Sequence, residues 1–362
     1  MLEDKHEVGA SCGMSHRDSD GIEMSQGKTR GYAKRFSHIY IEDSIADSNE
    51  VHAITAHFPH AEKIRIHHYK DVFNRRGQSA ETQHHAQALI LARKKGNLIY
   101  EGAPVCQSFG NVYFYYTSCV MNCLYDCEYC YLKGMYPSGH MVLFVNLEDI
   151  FAQTEQLLQQ HPVYLCVSYD TDLLALEGLT GFVQRWIDYT KKHENLQIEI
   201  RTKCARKDLW EQFDACDRVI FAYTMSPDRV VQQYEKETGA LHERILAAKE
   251  GIRRGFSVRL CFDPMLYVEH WKQEYRDMVD DVFREIAPEQ VLDVSVGSFR
   301  ISQDYLKKMR KAARSSPVVQ FPYENRGGVY QYPEKLRQEM ENYLQGLLKE
   351  YISPKKIFVW GQ

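Results

Sequence analysis

Cys123, Cys127 and Cys130 stand in a C-x3-C-x2-C arrangement inside the run Cys123-Leu-Tyr-Asp-Cys127-Glu-Tyr-Cys130-Tyr131. Thiols this close in sequence can wrap one compact metal centre. Thiolates are the usual ligands of iron–sulfur clusters, and four are normal when the cluster serves electron transfer alone. Three leave one iron open to a substrate or cofactor. Cys119 lies just upstream, so a different triple (119, 123, 127) or a fourth ligand is also open. A zinc site would want a second Cys or His pair at finger spacing, and none follows. A structural disulfide is not expected in a chain without a secretory pattern.

Composition narrows the setting. The 362 residues can bury a substantial core in one large domain or two small ones. No apolar run has the length of a membrane span, so no membrane partner is expected and the chain reads as cytoplasmic. Ten cysteines fit a reducing compartment where thiols serve metals or lie buried. A formal net charge of −4 excludes a bulk polyanion binder. Any nucleic-acid contact must come from a local basic surface.

The elements that would carry the cysteines follow from periodicity. Residues 1–35 are polar and aperiodic and read as a disordered tail, with Cys12 incidental. Residues 36–105 read as a small N-terminal α/β element, with strands around Ile39–Ile41 and Lys63–His67. From 106 to 300 the pattern is regular. Strands are expected at 112–118, 163–168, 197–201, 218–223, 257–262 and 291–296, with amphipathic helices between several of them. Strands separated by helices imply parallel β/α units. Residues 301–362 form a C-terminal extension: a basic helix bearing Lys307, Lys308 and Lys311, an aromatic-flanked hairpin around Arg326, a further helix and a short strand.

In this register the cysteine loop follows the first strand. Asp170-Thr171-Asp172 follows the second, Thr202-Lys203 the third, Thr224-Met225 the fourth and Asp263-Pro264 the fifth. Loops after the C-terminal ends of parallel barrel strands build active sites, so these groups should converge on one mouth.

The cysteine motif resembles that of the radical S-adenosylmethionine superfamily, whose hallmark is this spacing with an aromatic, here Tyr129, before the last cysteine. The resemblance implies an α/β fold with a partial (β/α)6 barrel, a 4Fe-4S cluster on Cys123, Cys127 and Cys130, and S-adenosylmethionine at the open iron. It also implies reductive cleavage of that cofactor to a 5′-deoxyadenosyl radical, with electrons from a donor such as flavodoxin or ferredoxin.

Over most of residues 36–360 the chain resembles the spore photoproduct lyase family, carbon–carbon lyases that split a thymine dimer in DNA. The resemblance rests on Cys123–Tyr131, on Phe144-Val-Asn-Leu-Glu-Asp-Ile-Phe-Ala-Gln153, on Thr202-Lys203, on the segment from Phe221 to Phe262 and on the arginine-bearing hairpin. It implies that Tyr131 takes part in hydrogen transfer, that Tyr129 lines the same pocket, and that Thr171 and Asp172 meet the cofactor's amino group. It further implies Lys203 near the cofactor, Thr224 at the ribose and Arg326 on DNA. Lys307, Lys308 and Lys311 are the accompanying candidates for phosphate contact.

One position departs from the pattern. Tyr169 stands where bacillus-type members carry a cysteine that donates a hydrogen atom to the product radical. Cys166 lies three residues earlier, and an odd offset on a strand would turn it to the other face. Tyr169 relayed through Tyr131 is therefore the expected donor and Cys166 its rival. Two other functions stay open: the same radical chemistry on a different nucleic-acid or small-molecule substrate, and a non-catalytic metal- and nucleic-acid-binding protein.

Overall fold

The computed structural model describes residues 35–103 and 106–361. The tail expected over 1–35 thus lies, apart from Arg35, outside the described residues, and so does Cys12. The main sheet contains six parallel strands: β1 (Phe114–Thr117), β2 (Val163–Cys166), β3 (Leu196–Thr202), β4 (Val219–Thr224), β5 (Ser257–Met265) and β6 (Asp293–Ser298). They are neighbours in chain order. Strand Ile357–Val359 extends the β6 edge in parallel, and Ile99–Glu101 pairs antiparallel with β1. The sheet is open, which is the partial (β/α)6 barrel expected.

Strand alternation separates two environments. Val163, Leu165, Ile198, Ile200, Phe221, Val258, Leu260, Val294 and Val296 are buried in the main apolar core. There they meet Ile150, Val183, Trp186, Ile187, Ile245, Ala248, Met278 and Val282 from helices Leu147–Leu158, Phe182–Lys191, Leu241–Arg253 and Trp271–Glu285. The opposite parity faces the barrel interior and is largely polar. Arg259 there binds Asp293 (Nη2–Oδ2 2.8 Å), Glu199 and the Tyr164 hydroxyl (2.6 Å), and Glu199 also takes Arg201. Arg201 and Arg259 outweigh the burial of Glu199 and hold its pKa down at about 2. The segment before β1 closes the end of the barrel where the strands begin. The Phe109 ring lies 3.2 Å from the Arg259 guanidinium and 5.3 Å from the Phe358 ring.

The N-terminal sheet runs Glu62–Ile66, His38–Glu42, Leu89–Ala92, Met141–Phe144, Val120–Met121. Its last two members come from beyond residue 105, while Ile99–Glu101 belongs to the barrel sheet. The chain therefore crosses back between the layers instead of dividing at 105/106. The physical reason is Met141–Phe144: all four residues are buried, and a strand apolar on both faces is stable only inside a covered parallel sheet. The consequence is functional. The cysteine segment is held at one end by Val120–Met121 and at the other by Met141–Phe144, across the seam between the sheets.

Candidate active site

The cysteine loop is tied down by its backbone. Asp126–Cys127 forms a short antiparallel ladder with Glu235–Lys236, and the Glu128 N–H donates to the Tyr234 carbonyl at 2.7 Å. The Tyr125 N–H points at the Cys123 sulfur (3.4 Å), and the Cys123 carbonyl accepts from the Gln87 amide. The turn then runs into helix Leu132–Met135, with Tyr131 at the residue before it. Gly134 lets this helix meet the basic helix Gln303–Ala312, because a Cβ there would lie 2.5 Å from the Tyr305 carbonyl oxygen.

The three thiols form one electrostatic group. Cys127 feels both Cys123 and Cys130, and Cys123 and Cys130 line one small cavity with His84, Asn122 and Lys133. Burial pushes the Cys123 thiol up to about 12 and raises Cys127 and Cys130 as well, so the bare site favours neutral thiols. Lys203 projects among them. Although burial disfavours its charge, Cys127 and Glu235 raise its pKa, and its Nζ lies 5.7 Å from the centre of the Tyr129 ring. Cys119 belongs elsewhere: its charged neighbours are Lys94, Arg185 and Asp170, not the other three cysteines. Among the described residues no three or more His, Cys, Asp or Glu side chains converge on one point as the ligands of a single metal ion would; the thiols of an iron–sulfur cluster each take a different iron and need only be near neighbours, as Cys123, Cys127 and Cys130 are.

The second wall comes from the loop after β2. The Asp172 carboxylate accepts from the Thr202 hydroxyl (2.8 Å), the Lys203 N–H (2.6 Å) and the Ala175 N–H (3.1 Å). These bonds join the ends of β2 and β3. The position of the carboxylate is that of a clamp on Lys203 and Thr171. The Thr171 hydroxyl, in contrast, is buried with no partner. A buried polar atom left unmatched is costly, and at Thr171 it leaves a hydroxyl free to bond a molecule bound beside the cysteine loop. Three clustered thiols, a buried ammonium and this orphan hydroxyl fit a cluster-bound cofactor bearing an amino and a carboxylate group.

Tyr129 donates to Glu235, which also takes Ser226 (2.9 Å) and Arg244 (2.6 Å). Arg244 further donates to the Thr224 carbonyl at 3.2 Å, fixing the end of β4. Glu235 and Arg244 were not singled out in the sequence, because a Glu–Arg pair has no spacing signature until the fold encloses it. Tyr131 donates to the Tyr169 carbonyl at 2.6 Å and approaches Asp170 (3.4 Å), which also accepts from Ser118 and Tyr136.

The donor candidates lie differently from expectation. β2 ends at Cys166, so strand parity does not carry on to Tyr169. Cys166 shares the inward parity of Tyr164, with Glu199 and Arg201 as its charged neighbours, and it is 1% exposed. The expectation that it turns away from the barrel interior is therefore corrected. The Tyr169 ring stacks on Tyr116 at 4.1 Å, and its hydroxyl lies 3.5 Å from the sulfur of Cys106. Nothing in the sequence around Cys106 marks it.

On the C-terminal extension Lys307, Lys308 and Lys311 are exposed on one helix, with spacing that groups them on one side. Arg326 ends strand Glu324–Arg326 and is ion-paired with Glu334 (2.6 Å) and Glu324 (3.6 Å). The hairpin turn meets the start of the basic helix through the Gln303 N–H on the Gly328 carbonyl (2.8 Å).

The family model described as Spore photoproduct lyase matches residues 113–357. The chain belongs to the spore photoproduct lyase family. A curated member from Clostridium acetobutylicum is 23% identical over 255 residues, 66% of this chain and 74% of that protein. One from Bacillus subtilis is 23% identical over 162 residues, 44% of this chain and 47% of that protein. Among solved structures, a spore photoproduct lyase complexed with dinucleoside spore photoproduct has a TM-score of 0.77 at 15% identity, covering 90% of this chain and 98% of that one. Another, with bound AdoMet and dinucleoside spore photoproduct, has a TM-score of 0.74 at 17% identity, covering 90% and 99%. At such identities the structural likeness is one of fold. Among the described residues no helix is long and apolar enough to cross a membrane.

Proposed function

We propose that this chain is a radical S-adenosylmethionine lyase that returns spore photoproduct in DNA to two thymines. The observation that carries the reading is the meeting of Cys123, Cys127 and Cys130 with Lys203 and the orphan Thr171 hydroxyl, in a chain of this family. Cys123, Cys127 and Cys130 would hold a 4Fe-4S cluster, which with S-adenosylmethionine supplies a 5′-deoxyadenosyl radical. Thr171 would accept from the cofactor's amino group. Lys203 would face its carboxylate, Asp172 would hold both in position, and Thr224 lies at the end of β4 for the ribose. Tyr129, locked on Glu235, forms part of the wall that excludes water. A flavodoxin- or ferredoxin-type protein is the reductant we infer, in the cytoplasm. Lys307, Lys308, Lys311 and Arg326 are the DNA contacts we assign. The pairs at Arg326 are exposed surface ion pairs, which contribute little and which a phosphate can displace.

The test is anaerobic incubation of the reconstituted, reduced protein with S-adenosylmethionine and dinucleoside spore photoproduct, read by mass spectrometry. Thymidylyl-thymidine is the expected product. Cofactor cleavage with the photoproduct left intact would move the chain to the second reading, the same chemistry on another substrate. That reading draws on Tyr169 at the donor position.

A further inference from the structure

We infer that the hollow beside the Arg75-Arg76 loop is a phosphate seat for the DNA strand next to the lesion. The inference rests on the DNA substrate of the reading above and adds a contact on the N-terminal layer. Helix Lys70–Phe73 packs Val72 and Phe73 on one face of the N-terminal sheet, and the chain leaves it through Arg75, Arg76 and Gly77, all exposed. A hollow of about 400 Å³ opens there, with Arg75, Arg76, Ser79, Thr82 and His140 in its wall and no Asp or Glu. Among the described residues neither guanidinium is in an ion pair. The His140 Nδ1 accepts from the Ala88 N–H at 3.1 Å, and burial, then Arg75, lower the pKa of this ring. The ring is therefore neutral at pH 7 and carries its hydrogen on Nε2, as one more donor.

The loop is braced while its charges are left over. Gln78 donates to the carbonyls of Phe73 (2.9 Å) and Arg75 (2.8 Å) and accepts from Gln83 (2.8 Å). Gln83 accepts in turn from the Ser138 hydroxyl (2.9 Å) and the Gly139 N–H (3.0 Å), on the segment that leaves the cysteine helix. A Cβ at Gly139 would collide with the Ala80 carbonyl, so glycine permits this close seating. Arg75 uses its Nε on the Asp71 carbonyl at 2.9 Å, which leaves both Nη groups to a ligand. A held backbone with two uncommitted guanidiniums suits phosphate oxygens, which match the planar fork in pairs.

The loop sits beside the barrel mouth. The Phe73 ring meets the Tyr136 ring edge-on at 5.5 Å. Tyr136 ends helix Leu132–Met135 and donates to Asp170, in the loop after β2, at 2.8 Å. The same short helix meets the basic helix Gln303–Ala312 through Gly134. The cysteine helix thus stands between two basic elements, Arg75-Arg76 on one contact and Lys307, Lys308 and Lys311 on the other. A chain of net charge −4 that holds a polyanion needs such local tracts. A strand whose lesion enters the mouth carries phosphates on either side of it, and each tract takes one side.

The experiment follows an undamaged duplex oligonucleotide binding to the iron-loaded protein by fluorescence anisotropy over a salt series. It compares the parent, Arg75→Gln with Arg76→Gln, and Arg75→Lys with Arg76→Lys. Undamaged DNA needs neither cofactor nor turnover, so the result is independent of repair. The glutamine pair should bind about tenfold more weakly and lower the log–log salt slope by about 1.8, at about 0.9 per charge. The lysine pair should keep the slope and lose only part of the affinity, because the charge remains and the fork does not. A merely structural role would make both pairs fail alike and overturns the inference. So does a glutamine pair with the parent's affinity and slope. If that pair instead binds DNA normally but takes electrons more slowly from flavodoxin, the hollow is a reductant's docking face and the inference is lost. It is equally lost if only binding of deoxyadenosine monophosphate falls, which would make this a free-nucleotide site. A parent that binds no DNA sinks the inference together with the repair reading. A parent that binds DNA through Arg75 and Arg76 yet never repairs dinucleoside spore photoproduct keeps the seat and loses only repair.

Discussion

Asp172→Ala separates a clamp from a ligand. In the parent the carboxylate takes the buried Thr202 hydroxyl at 2.8 Å and the buried Ala175 N–H at 3.1 Å, together with the part-buried Lys203 N–H at 2.6 Å. Removing the acceptor strands two buried donors at about 1–3 kcal/mol each, so the loss of stability should be about 2–6 kcal/mol. That is a large share of the roughly 5–15 kcal/mol by which domains are stable. Asp172→Asn keeps one acceptor oxygen but turns an NH2 toward a donor, and should fall between parent and Ala. Thr171→Val is the counterpart: it deletes a hydroxyl that has no protein partner, so stability should hold or rise by up to about 2 kcal/mol while cofactor affinity drops. Urea unfolding of the unloaded protein followed by circular dichroism measures the first effect, and calorimetric titration of the reconstituted protein with S-adenosylmethionine the second. An Asp172→Ala protein as stable as the parent, with affinity lost, would refute the clamp and return the carboxylate to the cofactor.

Three further outcomes are expected. Alanine at Cys123, Cys127 or Cys130 should abolish the brown colour and the bound iron, while Cys119→Ala retains both, since Cys119 answers to Lys94 and Asp170; iron analysis decides it. Neutralising Lys307, Lys308, Lys311 and Arg326 together should weaken DNA binding and reduce the log–log salt slope by up to about 3.6, at about 0.9 per charge, with iron content unchanged. Glu199, held at about 2 against about 4.3 in an unfolded chain, contributes about 3 kcal/mol that is present above about pH 5 and lost as pH falls toward 2. Glu199→Gln should flatten that part of the acid-unfolding profile and, by leaving Arg259 and Arg201 short of a counter-charge, cost about 3–5 kcal/mol at neutral pH.

What the sequence by itself determined is what depends on neighbours along the chain. The six barrel strands could be read from short apolar runs, because each needs only a local pattern to bury its outward face against a helix. The cysteine loop could be read because its three thiols fall within a single turn-rich segment. The same locality put Thr171, Lys203 and Thr224 at strand ends before any contact was known. Tertiary structure decided the rest. Cys106 meets Tyr169, and Glu235 meets Tyr129 and Arg244, only after segments distant in sequence are packed, and no periodicity encodes such encounters. An acidic side chain at a strand end, as Asp172 is, stays ambiguous between clamp and ligand until the donors around it are located. Cys166 was turned the wrong way because parity holds only while a strand lasts, and β2 stops at that residue. Met141–Phe144 joined the N-terminal sheet for a related reason: a strand apolar on both faces states that it must be covered, but not by which layer.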